Sequence, residues 1–158
     1  MTQTVTYMTQ GGFDTISNEY EDLKAKRPEY VKKLTQAADM GDRSENAAYS
    51  NAKRKLRSTD SKLRFLKKVI DHTKVAIPSQ TEYVEIGSQV LVNFNDREFT
   101  MHIVGLHEAD PSKMKVSYRS PVGSALMGKK VGEMVKIQLE DRVIEYKVLG
   151  IFIKPKLI

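Results

Sequence analysis

Two stretches of this chain repeat the same three-and-four spacing, and a very short segment joins them. Upstream, Phe13, Ile16, Tyr20, Leu23, Arg27, Tyr30, Leu34, Ala37 and Gly41 step by three and four residues in turn. Downstream, Tyr49, Ala52, Leu56, Thr59, Leu63, Leu66, Ile70 and Thr73 do the same. A seam repeating about every 3.5 residues must be covered by another helix. Only Gly41-Asp42-Arg43-Ser44-Glu45-Asn46 lies between the two, so each arm is the natural cover for the other. The pattern therefore predicts an antiparallel coiled-coil hairpin. Arms of about 30 residues would make it roughly 45 Å long. Asp42 and Glu45 then ride at its tip.

Pro28 falls inside the first arm. An interior proline costs about 3 kcal/mol and kinks or breaks a helix. The seam keeps its phase through Pro28, so the expectation is a bend or a brief break. Toward the turn the seam residues shrink to Ala37, Ala38, Ala48 and Ala52, which predicts close backbones and a slender tip.

The spacing changes near Val75-Ala76-Ile77-Pro78, and Ser79-Gln80-Thr81 reads as a linker. Residues 1–78 are thus assigned to the hairpin, with its acidic tip near 41–46, and 79–158 to a second domain. Val90–Phe94, Glu98–Val104, Lys115–Tyr118, Met134–Leu139 and Val143–Ile153 read as strands, with turns at Asn95-Asp96 and Glu140-Asp141. Pro121–Met127 reads as a short helix capped by Ser120 and closed by Gly128. The fold class is α+β: a coiled-coil hairpin followed by a small antiparallel-sheet domain.

Composition narrows the chemistry. The chain has no cysteine, so no disulfide, thiolate nucleophile or cysteine zinc site is available. His72, His102 and His107 are scattered, without metal-ligand spacing. No apolar run approaches the roughly 18 residues of a membrane span, and no secretory signal is expected. A cytoplasmic setting fits these features. The net charge is +6 and uneven: residues 1–77 hold 15 basic and 10 acidic side chains, the remainder 11 and 10. The excess concentrates in the second arm at Lys53, Arg54, Lys55, Arg57, Lys62, Arg64, Lys67 and Lys68. Such a run is read either as a solvated face or as a track for a phosphate backbone.

The tip also has two readings. Asp42 with Glu45 three residues later is the pattern of a capping box opening the second arm. The same pair, one helical turn apart, suits a hard cation such as Mg2+. Two carboxylates alone do not make a tight site, so a metal role needs ligands from another molecule. That is the logic of two-metal phosphodiester chemistry.

The motif Gly41-Asp42-x-x-Glu45-Asn46-Ala47-x-Tyr49, together with Arg27-Pro28-Glu29 and Ser120-Pro121-x-x-x-Ala125-Leu126-x-Gly128-Lys129-x-Val131-Gly132, resembles the bacterial Gre transcript-cleavage factors. The hairpin looks more like the GreB branch in Lys53-Arg54-Lys55-Leu56-Arg57. The resemblance implies an FKBP-like second domain that docks on the rim of the RNA polymerase secondary channel, with the hairpin entering it. It further implies that Asp42 and Glu45 are catalytic, sharing Mg2+ with the polymerase, so that the 3′ end of a backtracked RNA is cleaved. Lys53, Arg54 and Arg57 would contact that RNA, and Ser120 and Pro121 would face the rim. On this reading the chain is a monomeric factor that stimulates the polymerase's own cleavage and binds no metal alone. The residues leave alternatives: a channel-binding regulator that does not cleave, a prolyl isomerase carried by the second domain, and a coiled-coil adaptor.

Overall fold

The computed structural model describes residues 4–41 and 46–153. It divides into two compact units, Asp14–His72 and the rest, Met1–Phe13 with Thr73–Ile158.

The first unit is the hairpin. Helix α1 spans Gln10–Ala38 and α2 spans Ala47–Asp71. Every seam residue from Ile16 to Ala37 and from Tyr49 to Ile70 is buried or half-buried, while most positions between them are exposed. Thr59, Leu66 and Val69 are the most enclosed of α2. Arg27 is the seam's polar member: its Nε and Nη2 donate to the two Asp60 oxygens at 2.6 and 3.2 Å. A charged pair in an apolar seam favours one register over its slipped alternatives. Of the bend or brief break expected at Pro28, a break does not occur: Pro28 sits inside continuous α1, at an exposed position.

The second unit holds a five-stranded sheet of order β5-β4-β3-β7-β6: β3 Ser88–Phe94, β4 Arg97–Val104, β5 Lys115–Ser117, β6 Met134–Gln138 and β7 Val143–Ile153. Strand β3 alternates buried and half-buried residues, and β6 alternates exposed and buried ones, as a sheet with one core face requires. Asn95 and Asp96 turn β3 into β4 with both φ values positive, 50° and 62°, the two-residue turn that suits strand twist. Helix α3, Pro121–Leu126, closes over a core of Val84, Val90, Val92, Met101, Ile103, Leu126, Val135, Ile137, Val148 and Ile151. The sheet is mixed, not antiparallel throughout: β5 pairs parallel to β4, His102 opposite Lys115. The chain between them runs through two short 3-10 turns rather than a hairpin, which brings β5 back in the same direction.

A second, two-stranded sheet was not expected. Strand β1, Thr6–Met8, pairs parallel with β2, Thr73–Val75. Parallel neighbours need a crossover connection, and here α1 and α2 supply it. Met8 is 1% exposed, so this small sheet carries its own anchor. Glu108 ties Thr9, which follows β1, to the 3-10 turn after β4. Its carboxylate accepts from the Thr9 amide at 3.0 Å, the Gly105 amide at 2.7 Å and the Thr9 hydroxyl. A Cβ on Gly12 would lie 2.0 Å from Glu108 Oε1, so the glycine there makes room for the carboxylate. Among the described residues no helix is long and apolar enough to cross a membrane.

Candidate functional site

At the turn of the hairpin, Asn46 does two things at once. Its side-chain oxygen accepts from the Tyr49 amide at 3.2 Å, making it the N-cap of α2. Its amide nitrogen donates to the Ala37 carbonyl of α1 at 2.7 Å. An aspartate accepts only, so it could cap α2 but not strap α1 as well. The capping-box reading of Asp42 and Glu45 is therefore corrected: the cap of α2 belongs to Asn46. Asp42 and Glu45 themselves, with Arg43 and Ser44, lie outside the described residues. Gly41 precedes them at φ +123°, a backbone conformation that favours glycine.

Several cations of α2 have partners: Lys62 with Glu19 at 2.5 Å, Lys67 with Asp71 at 2.8 Å, Lys55 over the Tyr30 ring at 5.2 Å and Lys53, which also reaches the outward groove, over the Tyr49 ring at 5.9 Å. The Asp60 hydrogen bond raises the Arg27 pKa, and Arg27 in turn holds the Asp60 carboxyl below the usual carboxylate range. The hydrogen bond to Asp71 likewise raises Lys67. On the side of α2 away from the seam, Lys53, Arg54 and Arg57 line one shallow basic groove with Ser50, Ser58 and Ser61. Arg54 and Arg57 form no ion pair with the described residues, so their charge stays available to an outside anion. Guanidinium forks with hydroxyls between them suit a phosphate chain.

Ser120 and Pro121 open α3, as their types indicate. Ser120 Oγ accepts from the Gly123 amide at 3.0 Å and donates to the Ser117 carbonyl at 2.7 Å. A Cβ on Gly123 would come within 1.8 Å of that carbonyl. Ser120 is thus committed within the fold, whereas Pro121 is exposed. Among the described residues no three of His, Asp or Glu are placed to hold a metal.

The shrinking seam has a consequence beyond slenderness. Near the tip it leaves a groove between the arms, floored by Ala37, Ala48 and Ala52. The alanine spacing was the signal for it in the sequence.

Residues 6–75 match the family described as the transcription elongation factor N-terminal domain, and residues 79–152 match transcription elongation factor GreA/GreB, C-terminal. The chain is 37% identical over 153 residues to transcription elongation factor GreA 1 of Lactiplantibacillus plantarum, covering 96% of this chain and 98% of that one. It is 39% identical over 150 residues to GreA of Acetivibrio thermocellus, covering 91% and 94%. These relatives carry the GreA name, so the GreB-like character of the hairpin finds no support in them. A crystal structure of the GreA factor homolog 1 protein of Thermus thermophilus aligns over 94% of this chain and 99% of its own, at 20% identity and a TM-score of 0.45. With both halves matched along almost their full length, the chain belongs to the GreA/GreB family of transcription elongation factors.

Proposed function

We propose that this factor enters the secondary channel of RNA polymerase hairpin first and stimulates cleavage of backtracked RNA, releasing arrested elongation complexes. The observation that carries this reading is Asn46. Because Asn46 caps α2 and straps α1, two acids at the turn are not required for either task. Asp42 and Glu45 are then available as ligands. Two carboxylates suit a hard oxygen-seeking ion but supply too few ligands alone, so Mg2+ would be held jointly with the polymerase. When bound, that ion would stabilise charge at the scissile phosphate and lower the pKa of an attacking water. The protein's own part is to position the carboxylates and guide the RNA. Lys53, Arg54 and Arg57 would contact the extruded strand, and Pro121, with the α3 start that Ser120 caps, would face the channel rim. The factor completes another protein's active site rather than forming one.

The test is RNA cleavage in stalled, backtracked elongation complexes with Mg2+, comparing the wild type with Asp42→Asn and Glu45→Gln. Both variants should bind polymerase normally and lose at least about a hundredfold in cleavage rate, the usual scale for lost metal ligation or acid–base function. Binding without stimulated cleavage by the wild type would instead make the protein a non-cleaving regulator of the channel.

A further inference from the structure

The groove between the arms is distinct from the outward basic groove, since it is built from both helices. It measures ≈ 660 Å³, within the roughly 300–1,000 Å³ of small-molecule clefts. Its floor is apolar, and Met40 at its end is 77% exposed. Gln36 of α1 and Asn51 of α2 put amides on it from opposite arms. Among the described residues its lining includes two lysines and no carboxylate. Lys33 is already paired with Glu29 at 3.2 Å, but among the described residues Lys55 has no acid partner and rests over the Tyr30 ring.

An apolar floor, amides able to donate and accept, an aromatic ring and a cation with no acid partner among the described residues form one set of complementarities. They fit a nucleobase with its phosphate better than an apolar helix, which would bury the amides and Lys55 without partners. We propose that this groove seats one nucleotide of single-stranded RNA, its base between the arms on the alanine floor and its phosphate on Lys55. Because the amides offer both donors and acceptors, the groove would accept any base. Only the source of the RNA rests on the function proposed above; the binding itself does not.

The direct test is NMR of the full chain labelled at alanine methyl groups, titrated with a short oligoadenylate. The methyls of Ala37, Ala48 and Ala52 should shift together. Ala48→Leu fills the groove from an exposed position, and Lys55→Gln removes the phosphate contact. Each should weaken the apparent affinity about tenfold, the loss of one stacking or charge contact. Shifts confined to the amides of Ser50, Arg54 and Arg57, or an Ala48→Leu variant that titrates like the wild type, would overturn the proposal. So would methyl shifts seen with polymerase free of nucleic acid but not with the oligonucleotide, which would make the groove a protein contact. Methyl shifts with RNA alongside failed transcript cleavage would uphold the groove while refuting the cleavage reading.

Discussion

Removing the Asn46 side chain is the sharpest probe of how the hairpin holds its turn. Asn46→Ala deletes the acceptor that caps Tyr49 and the donor that straps Ala37. Loss of an N-cap costs about 1 kcal/mol, and loss of a single neutral hydrogen bond about 1 kcal/mol more. The two bonds involve different partners, so a total near 2 kcal/mol is expected. Asn46→Asp separates them. The carboxylate keeps the cap and gains about 0.5 kcal/mol from the positive end of α2, but it cannot donate to the Ala37 carbonyl and is repelled by it. Its net cost should be near 1 kcal/mol.

The readout must be local, because α1 and α2 are held elsewhere by their seam. Amide hydrogen exchange at Tyr49 and Ser50 is suitable, since both amides bond to Asn46, Ser50 through the Asn46 carbonyl at 3.1 Å. A loss of 2 kcal/mol should speed their exchange about thirtyfold in Asn46→Ala, and Asn46→Asp should fall between it and the wild type. Exchange within about twofold of the wild type in Asn46→Ala, an effect well under 1 kcal/mol, would refute the assignment of both bonds. Equal exchange in the two variants would refute the strap.

Adjacent glycines give a paired prediction for thermal melting: Gly11→Ala meets nothing within 4 Å and should stabilise the fold by up to about 1 kcal/mol, while Gly12→Ala collides with Glu108 and should destabilise it. Asp60→Asn should destabilise the protein to urea at pH 7. Asp60 has a depressed folded pKa, so its contribution is complete above its unfolded value of about 3.9 and is lost as pH falls through the folded one. Arg27 stays protonated throughout, so the gap between variant and wild type should narrow as acid protonates Asp60 in the folded protein; a gap that stays constant down the acid limb would exclude the ion pair as its cause. Replacing Lys53, Arg54 and Arg57 together with alanine should lower the slope of log affinity for backtracked complexes against log salt by about 2, as three single-strand phosphate contacts would. An unchanged slope would remove the outward groove from the RNA path.

What the sequence showed of this fold was whatever repeats. The seam of Ile16 to Ala37 and of Tyr49 to Ile70 is legible because burial recurs at seven positions in each arm, and one misfit such as Pro28 cannot erase its phase. Strands β3, β4, β6 and β7 are legible for the same reason at period two. Strand β5 is read at Lys115–Tyr118 but not its parallel partner, while β1 and β2, three residues each, are shorter than any periodicity; these pairings span from 13 to 67 residues of chain. Local pattern carries no information about such partners. The parallel setting of β5 likewise follows from the path through residues 105–114, which no alternation encodes.

The turn shows a different limit. Asp42 and Asn46 are both good caps by type, and Asp42 with Glu45 matches a capping box better than anything at Asn46 does. The choice is decided by where α2 begins, at Ala47, which makes Asn46 the cap, and its amide also donates to the Ala37 carbonyl, nine residues back, as an aspartate could not. A motif read along one helix thus placed the cap four residues too early, and it could not show the bond that crosses between helices. The same cross-helix geometry assigns a task to the asparagine that the sequence left without one. It leaves the acid pair without a capping duty on α2, and that is the reason to look for its purpose in chemistry.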